Sequence, residues 1–235
     1  MKIVAFRHGE KENWDIQWNL SSHGKWQSIE TGKKIAETFA TENVIYMWTA
    51  SSQSQRVKDT ATGVLVGMEA KDMALDKVFG AQIIEKTFAW LSSLPDESND
   101  AFTARRQELC VMYPEQSPHT LQDQVALEYM QGKLAWPTPT EIAQPWLEKF
   151  HALSQLLQKS SEKHYHEGHE KLIGVSTHQT INESILIALC GGFEQLPTAR
   201  QKPLGYAEEV YYDLPHEQPG KLIVTFRGIE KEFSI

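Results

Sequence analysis

Apolar residues run unbroken from Ile3 to Phe6 and stop at Arg7 and His8. A run without alternation marks a strand covered on both faces, and the two basic side chains then fall at its carboxyl end. From Gly24 to Ala40 the period changes: Trp26, Ile29, Ile35, Ala36 and Phe39 recur at helical spacing. Asn43 to Trp48 reads as a second strand. Ser52 and Gln55 fit a capping box, which places Arg56 in the first turn of a following helix. Residues 81 to 88 predict a third strand ending near Glu85. The stretch beyond reads as helical, with Leu121, Val125 and Tyr129 on one face. Ile142, Trp146, Phe150, Leu153 and Leu157 share the face of a further helix, and Pro137 and Pro139 stand just before it. Lys171 to Thr177 is strand-like again and His178 follows it; a helix from Thr180 stops at Gly191 and Gly192. Glu209 to Leu214 and Lys221 to Arg227 read as two late strands.

Alternating strands and helices with one interruption predict an α/β fold: a three-layer α/β/α sandwich with a mostly parallel sheet and a helical insertion. With 235 residues the chain suits one domain spanning 1–235, the insertion covering about 86–165. In such open sheets ligands bind beyond the carboxyl ends of the strands, where Arg7, His8, Arg56, Glu85 and His178 all fall.

Composition narrows the partners. Lys and Arg number 23 against 31 Asp and Glu, a formal charge of −8, and no basic run exceeds two residues, so nucleic acid is excluded as a partner. The apolar run before Arg7 is only four residues long and no apolar run reaches membrane-spanning length, which predicts a cytoplasmic protein with no membrane partner. Cys110 and Cys190 could form one bridge at most and read as reduced core thiols. A homodimer is compatible with this composition.

The sharpest local signal is Arg7-His8-Gly9-Glu10 directly after a strand. It sets an imidazole and a guanidinium beside a glycine that lets backbone approach a ligand. Two further blocks follow in order: Ser51-Ser52-Gln53-Ser54-Gln55-Arg56-Val57-Lys58-Asp59-Thr60-Ala61, an S-S-x-x-x-R-x-x-x-T-A pattern, and Val175-Ser176-Thr177-His178 at another strand end. With Leu20-Ser21-Ser22-His23-Gly24 at the start of the first helix, these blocks resemble the histidine phosphatase superfamily, the phosphoglycerate mutase-like family, over nearly the whole chain.

The resemblance implies a small phosphorylated substrate and a covalent phosphohistidine at His8. Arg7 and Arg56 would grip the equatorial oxygens, and His178 would donate to them as charge develops. It also implies no cofactor and no metal, the positive field coming from the guanidinium groups. The family's proton donor is a Glu in an L-x-E segment, which Ile83-Ile84-Glu85 matches with Ile for Leu, while Ala89 stands where the family has glycine. Glu10, Asp96 and Glu97 are the alternatives for that proton. Lys11 replaces the family's threonine and the asparagine arrives one place early, leaving Asn13 to reach the phosphate. Gln179 follows the second histidine with a backbone N–H available as donor, and Arg105 and Arg106 offer a site for a substrate carboxylate or a second phosphate. The run from His164 to Glu170 lacks the spacing of a zinc motif and reads as a polar loop.

These residues predict a phosphomonoesterase. The alternatives are mutase-type phosphotransfer between hydroxyls of phosphoglycerate, and a catalytically degenerate binding module.

Overall fold

The computed structural model describes residues 1–12, 19–39, 43–49, 55–73, 96–134, 137–164, 171–215 and 217–235. The expected strand over 81–88, with Glu85, lies outside these residues, as do Asn13, most of the second motif block before Gln55, and the polar run after His164. In chain order the strands are β1 (Lys2–Arg7), β2 (Asn43–Thr49), β3 (Lys171–Thr177), β4 (Glu209–Asp213), β5 (Lys221–Phe226) and β6 (Ile229–Ser234). The helices are α1 (Ser22–Thr38), α2 (Gln55–Glu69), α3 (Asp96–Met112), α4 (Pro118–Met130), α5 (Pro139–His164) and α6 (Ile181–Cys190). Two short 3₁₀ turns, Phe193–Gln195 and Thr198–Arg200, follow α6.

The strands form one sheet in the order β2-β3-β1-β4-β5-β6. β2, β3 and β1 run parallel, whereas β4 lies antiparallel to β1 and the remaining pairings are antiparallel too. The sheet is therefore mixed, and the expectation of a mostly parallel sheet is corrected. The reason is local: β4, β5 and β6 are joined by connections too short for a parallel crossover. Between β5 and β6 only Arg227 and Gly228 turn the chain, both with positive φ (48° and 71°), the geometry of a tight hairpin. β6 is an additional strand. Its sequence, Ile-Glu-Lys-Glu-Phe-Ser, leaves most positions exposed and carries little strand signal, as suits a charged edge.

β1 is buried on both faces, as its unbroken apolar run requires. Ile3 and Ala5 join a core with Ile173, Val175, Ile185, Phe150 and Tyr212. Val4 and Phe6 join another with Ile35, Ala36, Val64 and Leu172. α1 and α2 approach at glycines: a Cβ on Gly32 would lie 2.0 Å from the Val64 carbonyl oxygen, and one on Gly67 2.1 Å from that of Ile29. Within the α1 stripe, Ile35 and Ala36 are buried but Trp26 is 56% exposed and stacks on His23. In the helical stretch Leu121, Val125, Tyr129, Trp146 and Phe150 are buried as their spacing predicts, and Pro139 opens α5. Both cysteines are free, but Cys110 is exposed rather than in the core: it follows buried Leu109 on α3 and turns to the opposite side. No helix among the described residues is long and apolar enough to cross a membrane.

Candidate active site

Strand register assembles the site. Arg7 pairs with Thr177 across β1 and β3, so the residues after each strand emerge side by side at the same sheet edge. The His8 amide donates to the Thr177 carbonyl (2.9 Å), and the rings of His8 and His178 face each other edge-on, centroids 5.5 Å apart. α2 brings in Arg56 from its first turn, its Nε 3.2 Å from His8 Nε2. Thr60, one turn later, accepts from the Gly9 amide at 2.9 Å and donates to the Arg56 carbonyl at 2.7 Å, which ties the first motif to the second.

Gly9 and Gly24 exist for close approach. A Cβ on Gly9 would fall 2.5 Å from the Gly24 carbonyl oxygen, and one on Gly24 2.2 Å from that of Glu10. Ser21 caps α1 by accepting from the Gly24 amide, as the Leu20–Gly24 block predicts.

The histidines are held neutral. His8 Nδ1 lies 2.8 Å from the Gly9 carbonyl oxygen, an acceptor only, so the proton sits on Nδ1 and the Nε2 lone pair is free to accept from Arg56. Burial depresses the His8 pKa well below the ordinary value, and Arg56, His178 and Arg7 push it the same way. His178 is lowered to about 3, first by desolvation and then by Arg56, Lys11 and Arg7. An unprotonated Nε2 among cations is a nucleophile placed where an anion is attracted.

Arg7 is 1% exposed. Its Nη1 donates to the Leu204 carbonyl and stands 3.6 Å from Asp123 Oδ1, while Nε and Nη2 have no hydrogen-bond partner among the described residues. Buried donors without a partner cost roughly 1–3 kcal/mol each, and these two lie on one guanidinium next to the neutral His8.

Of the remaining expected residues, Gln179 is buried and its amide is spanned by α4, accepting from Gln122 and donating to Asp123, both at 3.0 Å. Arg105 is forked onto Glu128 (2.7 and 3.0 Å) and also donates to Glu108, whereas Arg106 acts electrostatically on Lys11. Lys11 itself belongs to the cluster: desolvation, Arg56, Arg106 and Arg7 lower its pKa to about 8.

Several site residues escaped the sequence reading. His119 and Asp123 sit on α4 at the spacing of one helix face, and that polar face beside the buried Leu121–Val125–Tyr129 face was a readable signal. Tyr206 had none, because its position depends on the antiparallel direction of β4. Its ring lies 4.0 Å from the Arg7 guanidinium carbon and 6.0 Å from the His8 ring.

No family model matches the chain, and no curated protein does. Among solved structures the chain is similar to mycobacterial glucosyl-3-phosphoglycerate phosphatase in complex with inorganic phosphate, at 15% identity over 90% of this chain and 89% of that one, with a TM-score of 0.48. It is also similar to Entamoeba histolytica phosphoserine phosphatase in complex with 3-phosphoglyceric acid (16% identity, 100% and 96% covered, TM-score 0.45) and to Klebsiella sp ASR1 phytase (13%, 97% and 82%, TM-score 0.38). In its motifs, the chain resembles the histidine phosphatase superfamily.

Proposed function

We propose that the chain is a metal-independent phosphomonoesterase that forms a covalent phosphohistidine on His8 and acts on a small phosphorylated substrate. The observation that carries this reading is the pairing of a neutral His8, its Nε2 lone pair directed at Arg56, with the two buried donors of Arg7 that have no partner among the described residues. The three-layer α/β/α plan about the parallel strands, with 86–165 as a cap over the site, is part of the same reading.

In the first step His8 Nε2 attacks phosphorus, the P–O ester bond breaks, and the leaving oxygen takes a proton from a carboxyl group, for which Glu85 remains the candidate. In the second, water attacks phosphorus, gives a proton to that carboxylate, and the N–P bond breaks to release phosphate. Arg7 and Arg56 hold the equatorial oxygens, with Asn13 and the Gln179 backbone N–H as further donors. His178 donates from one ring nitrogen as negative charge grows on the phosphoryl group. Among the described residues His8, Arg7 and Arg56 are held by hydrogen bonds before substrate arrives, so they need little reorganisation at the moment of reaction.

The test is turnover of p-nitrophenyl phosphate. Wild type should release p-nitrophenol, and His8→Ala should lose roughly 10³-fold or more in kcat/KM. Equal turnover by the two proteins would overturn covalent catalysis at His8.

A further inference from the structure

The loop from Leu204 to Glu208 is tied down at nearly every residue. Leu204 donates its amide to Glu183 Oε1 (2.8 Å) and accepts from Arg7. Gly205 donates to Glu208 Oε2 (2.7 Å), a carboxylate also held by Arg227 at 2.7 and 2.8 Å. The Ala207 carbonyl accepts from Thr31 Oγ1 at 2.8 Å, and the Glu208 carbonyl accepts from the Arg7 amide at 3.1 Å. Ala207 is bent to φ +57°, a left-handed conformation that alanine adopts at a cost. Glu183 joins this loop to the turn after His178, since its Oε2 accepts from the amide of Thr180, itself at φ +83°.

All this holds Tyr206 against Arg7. A guanidinium 4.0 Å from a ring centroid is within cation–π range, with Arg7 buried and Tyr206 partly buried. The far end of the ring is anchored as well: the Tyr206 hydroxyl lies 2.9 Å from His119 Nδ1, and His119 Nε2 lies 3.5 Å from Glu10 Oε1. Burial raises the Tyr206 pKa to about 12 and lowers that of His119. With Glu10 Oε1 facing Nε2, a neutral His119 carries its proton there, and the phenol donates to Nδ1.

We propose that Tyr206 is a positioning residue for the phosphoryl grip: stacked on Arg7 and anchored through His119 to Glu10, it keeps the guanidinium fixed with Nε and Nη2 turned to the anion. The brace spans three parts of the chain, namely the β1 exit, helix α4 and the turn before β4. The proposal rests on His8 and Arg7 forming a phosphoryl site.

A double-mutant cycle read by orthophosphate affinity tests it, with kcat and KM on p-nitrophenyl phosphate measured alongside. Tyr206→Leu should weaken orthophosphate binding about 10-fold, and Tyr206→Phe, which retains the ring but loses the anchor, about 3-fold. In an Arg7→Gln background Tyr206→Leu should cost less than about 2-fold, because the group it positions is gone. The same loss in both backgrounds, or no loss from Tyr206→Leu, would overturn the proposal. Should Tyr206→Leu lose its circular dichroism signal, the cycle of Tyr206→Phe with Arg7→Gln reads the coupling of the hydroxyl anchor to Arg7, and additive losses there would overturn the proposal. Wild type that binds orthophosphate but turns over no ester would overturn the phosphatase reading and leave this cycle decisive for the brace; wild type that does not bind orthophosphate would overturn both.

Discussion

At the scale of single residues, His8 and His178 stay uncharged where an exposed histidine would be partly protonated. For His8 the first cause is burial and the second is Arg56; for His178 the order is the same. This neutrality suits a nucleophile, and it links folding to pH. An unfolded histidine titrates near 6.5, so below about that pH the unfolded chain binds protons that the folded site refuses, and stability falls as pH falls. The window runs from about 6.5 down to the folded value, about 3 for His178. Urea midpoints measured at about pH 7 and pH 5 should therefore drop more for wild type than for His178→Gln, which has no proton to refuse. An equal drop would show that other groups carry the acid dependence. The motif residues were readable because each follows an apolar strand: Arg7-His8-Gly9 and Val175-Ser176-Thr177-His178 each announce a basic group at a strand end. The tautomer of His8 was not, since it depends on the orientation of the Gly9 carbonyl.

At the scale of elements, the site depends on how closely α2 can approach α1, since α2 carries Arg56. Gly67 meets the Ile29 carbonyl oxygen at a distance no side chain can share. Alanine favours a helix over glycine by about 1 kcal/mol, but overpacking costs about 1–3 kcal/mol and a backbone oxygen cannot swing aside. Gly67→Ala should therefore lower the urea midpoint and reduce kcat/KM as Arg56 shifts from His8; a raised midpoint would contradict this packing. The buried strands β1 and β3 were legible in sequence because burial on both faces leaves an unbroken apolar run. β6 was not, because an exposed edge strand needs few apolar residues. Sheet direction was the larger miss. Phe6 pairs with Glu209 in an antiparallel ladder, so the amino end of β4 lies at the carboxyl end of β1. That direction, which a pairing distant in sequence sets, carries Tyr206 to the site.

At the scale of the whole molecule, the formal charge of −8 and the cationic site coexist without conflict. Exposed charges more than about 8 Å away are largely screened at physiological salt, whereas the buried Arg7 guanidinium is screened far less. Local arrangement decides what binds. The same arrangement makes one chemical claim above all, that the phosphoryl group passes through His8. Rapid quenching during turnover of p-nitrophenyl phosphate, followed by mass spectrometry of the intact chain and its peptides, measures this directly. Wild type should carry one phosphoryl group on His8, stable in base and lost in acid, and His8→Ala should carry none. Turnover with no phosphohistidine, or with the group on another residue, would contradict the account.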